Sequence, residues 1–126
     1  MAVVVDTCGW IEWLTDGQLA DSYAPWLAEI HEVIVPTSVQ FELYKWVTRE
    51  VSEARALEVI GITEQGQVES LSTSIALFAA DLAMQQQLSF ADAIIYATAR
   101  HRQVTLVTSD NHFEDLEGVE YFAKTG

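Results

Sequence analysis

The sequence predicts an α/β protein with a mostly parallel central sheet and helices on both of its faces. Three observations carry that expectation. Short apolar runs of β-branched character alternate with longer segments of helical period, no repeat or low-complexity tract breaks the order, and half of the 126 residues are hydrophobic against 20% charged. Strict alternation of this kind implies strands brought parallel by helical crossovers, and the composition favours a packed core over a disordered chain. A chain of this length buries roughly two-thirds of its unfolded surface, so no metal or disulfide staple is needed for stability. The length fits a single domain spanning residues 1–126.

The elements follow in order. Ala2–Val5 is a short valine-rich run ending at Asp6, which reads as a buried parallel strand. Gly9–Thr15 predicts a short helix stopped by Asp16-Gly17, and Leu19–Glu29 a second. Glu32–Val35 is the next strand, closed by Pro36, and Thr37 with Gln40 three residues later has the form of a capping box. The helix so opened runs to about Glu50, and another covers Ser52–Thr63. Gln67–Leu71 has the character of an edge strand. Ser72–Gln87 and Phe90–Arg102 are helical, Val104–Val107 is a clear strand, and Val119–Phe122 completes the set.

Nineteen acidic residues against six basic ones give a net charge of −13, the opposite of a nucleic-acid-binding footprint. Two arrangements account for it: acids gathered around metal ions, and an acidic surface built to meet a basic protein. The single cysteine, Cys8, excludes an intrachain disulfide and fits a reducing compartment. The start MAVVVDTCGW lacks the basic and apolar regions of a signal peptide, and no apolar run approaches the roughly 20 residues that span a bilayer. These features predict a soluble, cytoplasmic protein.

In parallel sheets ligands bind beyond the carboxyl ends of the strands, and four carboxylates fall where that rule points. Asp6 ends the first strand, Asp110 follows the Val104–Val107 strand, and Glu42 and Asp92 lie on early helical turns. Each has an ordinary alternative: Asp6 and Asp110 as helix caps, Asp92 as a first-turn acid behind Ser89, and Glu42 as a solvated helix residue. Position argues further for two of them. Asp92 opens FADAIIYATAR, which is apolar nearly all round, and a carboxylate on a buried helix must be paired, hydrogen-bonded or metal-bound. At about 100° per residue, Glu42 lies roughly 60° from Val39, at the edge of the apolar arc of its helix. Lys45 and Arg49 share that flank.

Converging carboxylates without basic partners cannot all ionise in a poorly solvated cleft, and a divalent cation resolves the conflict. Oxygen-only ligands favour Mg²⁺ or Mn²⁺ over zinc. His31, His101 and His112 lack ligand spacing and read as surface or satisfied histidines, and Cys8 reads as a packing residue.

Four motifs in order, VVVDTCGWIEWL, IVPTSVQFELYKW, LSFADAIIYATAR and VTLVTSDNHFEDLEGVEYF, resemble PIN domains across essentially the whole chain, and VapC-type toxins among them. The resemblance implies a three-layer fold of strand order 3-2-1-4-5 and an acidic Mg²⁺ site that cleaves RNA. The family's four acids fall on Asp6, Glu42, Asp92 and Asp110. Thr7 and Thr108 are candidates for a supporting hydroxyl, and Lys45, Arg49, Arg100 and Arg102 for phosphate contact or, equally, for pairing with neighbouring acids. The resemblance further implies a cognate antitoxin, expected to be basic; Phe41, Tyr44 and the four tryptophans are read first as core residues, and otherwise as a homodimer or antitoxin interface. The chain departs from such proteins in its strong acidity.

The reaction implied is metal-assisted phosphodiester hydrolysis. Asp6 and Asp92 serve as principal ligands, while Glu42 and Asp110 hold a second ion or orient the attacking water. A haloacid-dehalogenase phosphatase needs D-x-D where this chain has Asp6-Thr7-Cys8, and a receiver domain needs a phosphoacceptor aspartate with a late lysine, a pair the later strands do not supply. The rival from another class is a PIN-fold binding module without turnover.

Overall fold

Valine-rich triplets set the sheet of the computed structural model, which describes residues 1–125. Its strands are β1 (Val3–Val5), β2 (Val33–Pro36), β3 (Gln67–Glu69), β4 (Thr105–Thr108) and β5 (Val119–Tyr121). The order is β3-β2-β1-β4-β5, and all four pairings are parallel. Successive strand side chains point to opposite faces. In β1 all of Val3, Val4 and Val5 are buried, so both faces of the central strand are covered.

The helices are α1 (Thr7–Leu14), α2 (Ala20–Ala28), α3 (Thr37–Glu50), α4 (Glu53–Thr63), α5 (Thr73–Gln86) and α6 (Phe90–Arg102). They pack in sequential pairs, α1 on α2, α3 on α4 and α5 on α6. The first pair meets closely at Gly9, where an added Cβ would fall 2.4 Å from the Tyr23 ring. Serine caps open three helices: Ser52, Ser72 and Ser89 accept from the amides of Arg55, Ile75 and Asp92. No described helix is long and apolar enough to cross a membrane.

Element types follow the sequence pattern, and the differences lie at junctions. Helix α1 starts at Thr7 rather than Gly9, which puts Asp6 directly at its amino end. The capping box at Thr37 does not form. Strand β2 runs through Pro36 straight into α3, so Thr37 is already helical and Pro36 takes the cap position. Gln40 instead donates to the Thr63 hydroxyl at 3.1 Å and to Glu64 at 2.7 Å, tying α3 to the end of α4. The tryptophans serve the core: Trp10 is fully buried, and Trp13, Trp26 and Trp46 pack against it with Tyr44. Among the proposed dimer residues Phe41 is the exposed one.

Candidate carboxylate metal site

Two strand ends and one helix start build the site. The β1–β4 ladder continues one residue past β1, with the Asp6 amide donating to the Val107 carbonyl at 3.0 Å. That bond fixes the Asp6 backbone beside Thr108, and the carboxylate lies over the first turn of α1. Its Oδ1 accepts from the Thr7 amide at 2.8 Å, and its Oδ2 accepts from the Thr108 hydroxyl at 2.7 Å. Asp6 therefore does cap a helix, as the ordinary reading holds, and it also belongs to an acidic cluster.

The two threonines act as struts. Buried Thr108 gives its one hydroxyl proton to Asp6 and accepts the Asp110 amide at 2.9 Å, so one oxygen positions both acids. On the other side, the Thr7 hydroxyl donates to Glu42 Oε1 at 2.6 Å, linking α3 to α1. Both candidate hydroxyls thus touch site carboxylates. Cys8 lies in the same shell, 3.6 Å from Asp6 Oδ2 and 3.5 Å from the Ser109 hydroxyl. Burial and the neighbouring Asp6 charge push its thiol pKa up, which disfavours the thiolate a nucleophile needs.

Asp92 projects from the first turn of α6, a helix whose residues Ala93 to Ala99 are all buried. Its carboxylate is only 16% exposed and approaches the His112 ring at 3.1 Å, while Asp110 lies 3.3 Å from the same ring nitrogen. Oxygens of Asp92 and Asp110 and a nitrogen of His112 all lie within 4.8 Å of one another, close enough to share one ion. His112, read from sequence as a surface or satisfied histidine, is exposed and faces both acids. Its signal was position: the short turn Asn111–Phe113, capped by Asp110, carries it back toward the cluster.

The electrostatics match an unneutralised cluster. Burial, above all, pushes the Asp6 pKa up to about 6; the bonds from Thr108 and Thr7 oppose the shift, and the charges of Asp92 and Asp110 add to it. No described lysine or arginine forms an ion pair with Asp6, Glu42, Asp92 or Asp110. The carboxylate oxygens suit a hard divalent cation, with the imidazole a softer ligand beside them, and such an ion would offset the charges that Asp92 and Asp110 add at Asp6. The residues present fit the group.

The predicted phosphate-contact cations divide. Lys45 and Arg49 line a hollow that also takes in Thr7 and Glu42. Arg100 instead pairs with Glu117 at 3.2 Å and lines a hollow with Ala2, Val104 and Thr105, at the amino ends of β1 and β4. Arg102 pairs with Glu69 at 2.7 Å and bonds Gln67, both on edge strand β3. These two sit at the carboxyl end of α6, opposite Asp92, because a helix 13 residues long carries its ends roughly 20 Å apart.

The sequence matches the PIN domain family over residues 3–119. The chain belongs to that family. Among solved structures, this PIN domain resembles a chain of a toxin–antitoxin complex from Klebsiella pneumoniae at a TM-score of 0.82 and 20% identity, covering 98% of this chain and 100% of that one. A VapBC2 complex from Rickettsia felis, bound to a fragment of its promoter DNA, matches at 0.77 and 17%, covering 96% and 98%. A Mycobacterium tuberculosis toxin described as cleaving the Sarcin-Ricin loop matches at 0.76 and 18%, covering 94% and 98%. At these identities the likeness establishes a shared fold. No curated protein sequence matches the chain.

Proposed function

We propose that this PIN domain is a Mg²⁺- or Mn²⁺-dependent endoribonuclease, the toxin of a type II toxin–antitoxin pair, with residues 1–126 as its catalytic unit. The observation that carries the reading is the cluster of Asp92, Asp110 and His112, with Asp6 near enough to feel the charge of both acids, Glu42 bonded to Thr7, and no described lysine or arginine paired to any of the four carboxylates. The toxin–antitoxin neighbours support it.

Asp6 and Asp92 are the principal ligands. A divalent cation held there supplies charge neutralisation at phosphate oxygens and a water made acidic enough to attack near neutral pH. Thr108 holds Asp6 in place through its hydroxyl, and the same oxygen fixes the Asp110 backbone. Glu42, oriented by Thr7, and Asp110 serve a second ion or hold the attacking water. His112 adds an imidazole at the Asp92 and Asp110 edge.

The partner is a basic antitoxin drawn to the −13 surface, and its association slows as salt rises. A homodimer has exposed apolar side chains available on α5, where Leu77 and Met84 face solvent. The reduced Cys8 fits a cytoplasmic site of action.

Incubation with total RNA tests the activity. Cleavage is expected with Mg²⁺, none in chelator, and none from Asp92→Asn. A second reading, a binding module without turnover, is favoured by the pairing of five of the six lysines and arginines with acids. Tight antitoxin binding with no metal-dependent cleavage would establish that alternative.

A further inference from the structure

We infer that the groove bordered by α1, α3 and the start of α6 is a nucleotide subsite, taking one unpaired base and its phosphate beside the carboxylates. This deepens the ribonuclease reading and rests on it. A hollow of about 420 Å³ opens there, lined by Thr7 and Glu42 on the carboxylate side and by Phe41, Lys45, Arg49 and Phe90 beyond them. That volume lies in the range of small-ligand sites.

Charge selects the occupant. Of the six lysines and arginines, Arg49, Arg55, Arg100, Arg102 and Lys124 each have a carboxylate partner. Lys45 is the remaining one and has none among the described residues. Its ammonium stands 6.0 Å from the centre of the Phe41 ring. Arg49 pairs only with its sequence neighbour Glu50, in a pair more than 45% exposed on either side, and such pairs exchange readily because they contribute little. In a chain of net charge −13, an unmatched cation beside the acidic cluster fits an anionic occupant. A basic peptide would meet like charge there.

Shape and surface select a nucleotide among anions. Phe41 is 58% exposed and Phe90 is 78% exposed, and both rings line the groove. An aromatic ring offers any base a stacking platform without reading its identity.

The test titrates the four nucleoside 5′-monophosphates into the full chain with Mg²⁺ and follows side-chain NMR signals. These probes carry no phosphodiester bond, so binding is read without turnover. The Phe41 and Phe90 ring resonances should shift and saturate, with little dependence on the base, while inorganic phosphate leaves them unmoved. Phe41→Ala should weaken binding about tenfold, and Lys45→Glu at least as much. Both side chains are exposed, so the melting temperature should hold. With an RNA oligonucleotide, the loss in Phe41→Ala should fall on KM. Nucleotides that move neither ring would overturn the subsite, as would variants that lose only antitoxin binding. Unchanged KM in both variants would overturn the subsite and leave the ribonuclease reading standing. Ring shifts in a protein that cleaves no RNA would do the reverse.

Discussion

The two ends of α6 solve opposite electrostatic problems. At its carboxyl end Arg100 and Arg102 each meet a glutamate, Glu117 and Glu69, in the way protein surfaces ordinarily match charge. At its amino end Asp92 meets Asp110 and the field of Asp6, with the His112 imidazole as its nearest partner. One helix, buried along its middle, thus joins a neutralised end to an end left strongly acidic. The first carries its own counter-charges, whereas no described lysine or arginine pairs with the second, which leaves it open to a cation from solution.

Asp92→Asn should have the largest effect. The amide keeps the shape and removes the charge that holds a cation, so RNA cleavage in Mg²⁺ should fall by orders of magnitude, several kcal/mol of transition-state stabilisation being lost. In chelator the variant should melt no lower than the parent, because one repelling carboxylate is gone. A clearly destabilised variant that still cleaves RNA would return Asp92 to the role of a helix cap.

Next comes pH dependence at Asp6. Its folded pKa of about 6 lies above the ordinary 3.8, so the folded chain without metal binds this proton more tightly than the unfolded chain. The stabilisation is complete below about pH 4 and is lost as pH rises through 6, a change on the order of 3 kcal/mol. Denaturant unfolding in chelator at pH 4 and pH 7 should show this extra loss in the parent and not in Asp6→Asn. Added Mg²⁺ should stabilise the parent more at pH 7 than at pH 5, since it needs the ionised carboxylate.

Thr108→Val should cost about 1–3 kcal/mol, because it leaves the buried Asp6 oxygen with only the weak Cys8 thiol donor and the Asp110 amide without its acceptor. Cleavage should weaken with it, whereas a purely structural threonine would lower stability alone. The smallest effect belongs to the matched end. Arg102→Gln should change stability by less than about 1 kcal/mol and leave RNA cleavage intact, and a large loss of cleavage there would erase the contrast between the two ends.

The strands and helices were legible because each carries its period in its own residues: valine runs for β1 and β2, and an all-round apolar face for α6. Asp6, Glu42, Asp92 and Asp110 could be named from sequence because they sit at strand ends and helix starts. Their struts were legible only as candidate hydroxyls, and the bonds of Thr7 to Glu42 and Thr108 to Asp6 span 35 and 102 residues. The approach of His112 to Asp92 was not legible for the same reason, since the two lie 20 residues apart and no local spacing reports it. Arg100 and Arg102 take the pairing with neighbouring acids that their sequence reading holds open, because the last turn of α6 carries them away from Asp92 in its first. The capping box at Thr37 failed where β2 ran into α3 without a loop.

The most direct test is a calorimetric titration of Mn²⁺ into the parent chain and into Asp92→Asn at pH 7. Saturable binding in the parent that is lost or greatly weakened in the variant is the predicted result. Equal binding by both proteins, or none by the parent, would contradict the claim that these carboxylates are gathered to hold a metal ion.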